Sequence, residues 1–175
     1  MQAIIDAYEA IRDFLELGGP ILRLIAIVIL VMWILILERL IFFRTTLNRL
    51  IKEAFNEWER RKERRSWHAR QIREGIISRV RMQANEGLPI VQTLVALCPL
   101  FGLFGTVTGM VTVFEVMAIT GSGNARSMAA GVSMATLPTM AGMVGALSGV
   151  FLVTILNRTV KRRIGFLEDE LTMDH

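Results

Sequence analysis

Ala96-Leu-Cys-Pro-Leu-Phe-Gly-Leu-Phe-Gly-Thr-Val-Thr-Gly-Met110 carries a proline, three glycines and two threonines inside an apolar stretch with no charge until Glu115. About 20 apolar residues suffice for a helix to cross a bilayer. The stretch is long enough, so its small and polar residues must face protein or a lumen rather than lipid. The same kind of run returns at Ala135-Thr-Leu-Pro-Thr-Met-Ala-Gly-Met-Val-Gly-Ala-Leu-Ser-Gly149. Two such helices are expected to pack on each other or on further copies of themselves.

Composition agrees with a membrane setting. Of the 175 residues 53% are hydrophobic, and the mean hydropathy is positive, which is beyond the balance of a soluble domain. Strands of a barrel alternate polar and apolar residues over roughly ten positions, whereas these runs are about twice that length and do not alternate. The expected class is all-α: an integral membrane protein with three transmembrane helices. The lone cysteine, Cys98, lies within an apolar segment, so it reads as a small buried hydrophobe with no partner for an intrachain disulfide.

The chain divides by charge and periodicity. Residues 1–19 place Ile4, Ile5, Tyr8, Ile11, Phe14 and Leu15 at helical spacing, with Asp6, Glu9, Asp13 and Glu16 between them. This predicts an amphipathic helix in the membrane interface. Its acidic start is the reverse of a signal peptide's, so it is expected to be retained. Gly18-Gly19-Pro20 should end it. The first span occupies residues 20–43, with Arg23 and Arg39 near its ends as residues able to snorkel to the headgroups, and with Glu38 and Arg39 as a membrane-boundary ion pair.

Residues 44–87 form a charged segment with two apolar stripes, Leu47, Leu50, Ile51, Ala54, Phe55 and Trp58, then Ile72, Ile76, Ile77 and Val80. The spacing predicts a helical hairpin or a bent helix, with Gly75 a possible break. The second span covers residues 88–120, with Pro89 in its first turn and Pro99 as a bend. Residues 121–126 make a turn, the third span runs over 127–157 with a second bend at Pro138, and residues 158–175 form the C-terminal tail.

Most of the 20 Lys and Arg residues lie between the first and second spans, and Arg158, Lys161, Arg162 and Arg163 follow the third. By the positive-inside rule both regions are cytoplasmic, giving an N-out, C-in chain whose helices extend into the cytoplasm. Acids interleave with the basic residues and no aromatic platform accompanies them, so nucleic acid is not an expected partner.

Gly102, Gly105 and Gly109 follow a G-x-x-G-x-x-x-G spacing, and Gly142, Gly145 and Gly149 repeat it. In lipid such spacings let helix backbones approach. Thr106 shares a helical face with Gly102 and Gly109, and Thr139 shares one with Thr136, Gly142 and Met143. Each hydroxyl either bonds back to its own helix or lines a lumen. Neither Leu88–Phe114 nor Ser127–Leu156 contains Asp, Glu, His, Lys or Arg. A hydroxyl does not titrate near neutral pH, so any proton carried here needs a carboxylate from a partner. His68 and His175 read as surface residues. The sequence has no paired His and Cys, G-x-S-x-G, P-loop or metal-spaced cluster, so neither an enzyme nor a cofactor or metal site is expected.

Cys98 to Met110 together with Gly131-Val-Ser-Met-Ala-Thr-Leu-Pro-Thr-Met-Ala-Gly-Met-Val144 resembles the MotA/TolQ/ExbB proton channel family, as does Ile36-Leu-Glu-Arg-Leu-Ile-Phe-Phe-Arg44. The resemblance is nearest to the short ExbB-type members, with a TolQ-like subunit or a non-conducting scaffold as alternatives. It implies a homo-oligomer, a pentamer in the bacterial inner membrane, around an ExbD-like partner. That partner's single span bears the proton-binding Asp, and a TonB-like protein conveys the work. It implies pore positions for Thr106 and Thr139, with Thr136 beside them. One departure is Met134, where the family carries a glutamate five residues before the pore threonine. Another is Ser148, where relatives have a proline nine residues after it.

Overall fold

The computed structural model describes residues 2–61, 63, 66–121 and 125–171, which form five α-helices. They are α1 (Gln2–Leu17), α2 (Gly19–Glu59), α3 (Trp67–Asn85), α4 (Leu88–Thr120) and α5 (Ala125–Glu170). No strand occurs among the described residues, so the class is all-α. Three candidate spans are long and apolar enough to cross a membrane, built on α2, α4 and α5. Of the turn expected over residues 121–126, residues 122–124 lie outside the described residues, as does His175, and α5 already begins at Ala125.

The chain forms two compact units: Met1–Trp33 with Thr93–Val150, and Ile34–Gln92 with Phe151–His175. In the first, α1 ends where the Gly18 N–H donates to the Phe14 carbonyl at 3.2 Å. Gly19 then turns at φ +68°, and a Cβ there would sit 2.6 Å from the Met134 methyl. The positive φ favours glycine at this junction, while the Met134 methyl, at the end of a flexible side chain, could yield to a Cβ. The acids of α1 are exposed, and so are Ile5, Tyr8, Ile11, Phe14 and Leu17.

The core of this unit draws Leu22, Ile25 and Met32 from α2, Val95 and Cys98 from α4, and Ala135 and Pro138 from α5. Steps of three and four along each helix place these residues on one stripe. The other face of α2 here exposes Leu24, Ile27, Leu30 and Val31.

In the second unit α2 continues as one helix with Ile36, Phe43, Leu47, Ala54 and Trp58 buried, while Lys52, Glu53, Glu57 and Glu59 are exposed. The packing stripe therefore persists while the opposite face changes from apolar to charged. A turn follows, and Ser66 caps α3, its Oγ accepting from the Ala69 N–H at 3.2 Å. Such a cap satisfies one of the unpaired amides of a helix start. Gly75 does not break α3. It lies exposed in mid-helix with nothing within 4 Å of where a Cβ would be, so nothing there favours a bend.

Gly87, at φ +76°, joins α3 to α4, and the Arg39 guanidinium fills the space a side chain would need. Arg39 is thus turned into the protein, its side chain 12% exposed and its guanidinium 5.2 Å from the Phe42 ring centre, rather than snorkelling outward.

Residues 158–170 remain helical, and Val160, Ile164 and Leu167 extend the buried stripe of α5. Arg73 of α3 holds its end, donating to the Glu168 carbonyl and to the Leu171 carbonyl, both at 2.6 Å. Terminal carbonyls of a helix lack intrahelical donors, and a guanidinium supplies them. Arg81 pairs with the Glu168 carboxylate alongside. Arg73→Ala should cost about 1–3 kcal/mol at this contact. Hydrogen exchange over residues 164–171 is then expected to accelerate about 10- to 100-fold, whereas unchanged protection would assign the end of α5 to its apolar contacts alone.

Candidate functional site

In the first unit α4 and α5 run antiparallel with their backbones nearly touching. A Cβ on Gly142 would lie 2.5 Å from the Cys98 carbonyl oxygen, one on Gly102 2.9 Å from the Thr139 Cα, and one on Gly109 2.6 Å from the Ala135 Cα. Gly105 leaves the space that the Pro138 ring occupies, and both helices continue through Pro99 and Pro138. Gly145 receives the Ile29 side chain of α2, and Gly149 receives Val95 of α4 together with Met32 of α2. The six glycines thus serve two different ends. Gly102, Gly109 and Gly142 meet backbone, whereas Gly105, Gly145 and Gly149 are sockets for side chains.

The hydroxyls sit along this contact. Thr139 donates across it to the Gly102 carbonyl at 2.9 Å. That bond depends on the bare Gly102 backbone, which lets a second helix reach its carbonyl. Thr106 donates to the Leu103 carbonyl of its own helix at 2.6 Å, and Thr136 to the Ser133 carbonyl at 3.1 Å. Ser148, the other position of family departure, donates to the Gly145 carbonyl at 2.7 Å. A threonine hydroxyl carries one proton and two lone pairs. With the proton donated to a carbonyl, each side chain presents only acceptors to its surroundings.

Thr106 and Thr139 therefore do not share one bond. Gly102, one turn before Thr106, is the residue that Thr139 reaches. Thr136 is exposed, and Thr106 and Thr139 are half-buried.

A cleft of about 220 Å³ lies within the same unit, lined by Pro20 and Ile21 of α2, Thr108 and Thr112 of α4, and Met134 and Pro138 of α5. Thr108 donates to the Phe104 and Gly105 carbonyls, each at 3.1 Å, and Thr112 to the Thr108 carbonyl at 3.1 Å. The glycine and threonine motifs did not single out these two residues. A signal for them exists all the same: Gly105, Thr108, Gly109 and Thr112 share one helical face, opposite in character to the large exposed residues Phe104, Val107 and Val111. Met134 brings a neutral thioether to this cleft where a carboxylate would have needed a partner.

The boundary pair belongs to the second unit. Arg39 Nε stands 3.8 Å from Glu38 Oε2, and the Glu38 side chain is 55% exposed. At that distance and exposure the pair contributes little to stability.

A model of the MotA/TolQ/ExbB proton channel family matches residues 43–169. A putative biopolymer transport protein ExbB-like 1 from Synechocystis sp. is 37% identical over 75 residues, covering 41% of this chain and 30% of the relative. Biopolymer transport protein exbB1 from Vibrio cholerae is 35% identical over 92 residues, covering 52% and 40%. A second Synechocystis protein, ExbB-like 3, is 26% identical over 83 residues, covering 46% and 40%. The chain thus spans less than half the length of each of these relatives.

Proposed function

The chain belongs to the MotA/TolQ/ExbB proton channel family, and from that premise we propose that it is the ExbB-like subunit of a proton-driven inner-membrane motor. In this reading several copies, five by analogy with the family, surround an ExbD-like span, and a TonB-like protein carries the work to outer-membrane transporters. The chain is oriented N-out and C-in. Residues 44–87 and 158–175 are cytoplasmic, and α1 lies in the interface with its apolar face toward lipid.

One observation carries this reading. The apolar stretches of α4 and α5 hold a series of hydroxyls and no acid, base or histidine. The proton carrier must then sit on another chain, and the threonines act on it. Because Thr106, Thr136 and Thr139 donate their own protons to carbonyls, their free lone pairs accept from a protonated carboxyl and repel a carboxylate. Such a wall favours the neutral form of the partner's acid at that level. Release of the proton then requires water farther along the path.

The experiment is proton flux in liposomes holding this chain with and without a co-expressed one-span partner. Flux is expected only with the partner. Flux from this chain alone would overturn the reading. The rival is a non-conducting scaffold, favoured by the fact that every hydroxyl named above has a backbone acceptor, and it predicts no flux in either case. A TolQ-like subunit would conduct but pair with a different one-span protein.

A further inference from the structure

The apolar stretches of α2 and α5 both give way to arginine within the second unit, at Arg44 on α2 and Arg158 on α5. Two clefts open there, one of about 510 Å³ along α5 and one of about 210 Å³ against α2. They share Ile155, Thr159 and Arg163, and between them they are lined by Arg44, Arg158, Arg162 and Arg163 without any carboxylate. Three other arginines of this unit are paired, Arg49 with Glu53, Arg79 with Glu57 and Arg81 with Glu168. Among the described residues, none of the four cleft arginines has an ion-pair partner.

Four guanidinium groups held without counter-charge at one place call for an anion, and guanidinium matches phosphate geometry closely. The rims are apolar, with Ile155 and Phe166 exposed beside the first cleft and Leu40 and Phe43 lining the second. A free phosphate or nucleotide has no use for such rims. A molecule with a phosphate at one end and hydrocarbon at the other matches both features. The level is also right, since the clefts begin where the two spans lose their apolar outer faces.

We propose that this arginine groove binds the headgroup of an anionic phospholipid, with an acyl chain against Ile155 and the apolar surface of α5. The Thr159 hydroxyl lines both clefts but donates its proton to the Ile155 carbonyl at 2.9 Å, so the guanidinium groups are the donors left for a phosphate. Basic side chains at a membrane surface are worth about fivefold each in binding anionic lipid. The site is a property of one chain, and its test does not depend on proton conduction.

The test measures lipid retained by the full chain purified into mixed micelles of phosphatidylglycerol and phosphatidylcholine, by native mass spectrometry. The protein should retain phosphatidylglycerol over phosphatidylcholine, and Arg162→Gln with Arg163→Gln should lower that enrichment about 25-fold. Arg162→Lys with Arg163→Lys keeps the charge and should retain most of it. No enrichment in the parent protein, or undiminished enrichment in the Gln pair, would overturn the assignment. So would loss in the Lys pair equal to that in the Gln pair, which would trace the effect to packing. Displacement of the lipid by millimolar inorganic phosphate would reassign the groove to a soluble anion, and displacement by a glutamate-rich peptide would reassign it to a protein partner.

Discussion

Gly142→Ala should destabilise the first unit by about 1–3 kcal/mol, and Gly142→Leu should prevent α4 from seating on α5 at all. Gly165→Ala, in the same helix, should instead raise stability by about 0.5–1 kcal/mol. The contrast follows from what each new Cβ would meet. At Gly142 it meets the Cys98 carbonyl oxygen at 2.5 Å, and backbone cannot rotate away as a side chain can. At Gly165 nothing lies within 4 Å, so only the gain in helix propensity remains. Relief at Gly142 requires the two helices to separate, and separation stretches the 2.9 Å bond from Thr139 to Gly102. The two effects are therefore coupled: Thr139→Val should cost less in the Gly142→Ala background than alone. Detergent titration of the purified protein, followed by tryptophan emission, reads all of these. Equal stability of Gly142→Ala and the parent protein would mean that the backbones are not in contact.

Helix class and the three spans were legible because uncharged runs of this length leave few alternatives. Helix ends were less so, and α2 shows why. Composition changes sharply at Arg44, but the helix runs on to Glu59, because its packing stripe of Ile36, Phe43, Leu47 and Trp58 ignores that change. A fall in hydropathy marks where the surroundings change, which is a different matter from where the backbone turns. Gly75 misled for a related reason: glycine lowers helix propensity by about 1 kcal/mol, and burial of Ile76, Ile77 and Val80 outweighs that. The glycine spacings pointed to close approach, but which glycine meets backbone and which holds a side chain depends on the register of α4 against α5. The bond from Thr139 to Gly102 spans 37 residues of sequence and is invisible before that register is known. Thr108 and Thr112 could have been found by face, since their neighbours Gly105 and Gly109 were already in view.

Thr106→Ala and Thr139→Ala should each assemble and yet lose proton flux with the partner by about 10- to 100-fold, the cost of leaving a polar group without its hydrogen bond in a low-dielectric path. The two substitutions are not equivalent. The Thr106 hydroxyl bonds only within its own turn, to Leu103, so its removal leaves the contact between α4 and α5 intact. The Thr139 hydroxyl joins the helices, so its removal also weakens packing, by about 0.6 kcal/mol on the scale of interhelical bonds in membranes. Flux must therefore be expressed per assembled particle, and serine and valine separate the contributions. Thr139→Ser keeps the hydroxyl and should restore both packing and flux. Thr139→Val keeps the shape and should restore neither. At Thr106, valine should abolish flux with no change in stability, a result that packing alone does not produce. The direction of the acceptors adds a further mark: hydroxyls that offer only lone pairs favour a protonated carboxyl, so losing them should lower the apparent pKa of the partner's acid. Undiminished flux in both alanine variants would place these threonines outside the conduction path and confine them to the backbone hydrogen bonds they make, within α4 for Thr106 and between α5 and α4 for Thr139.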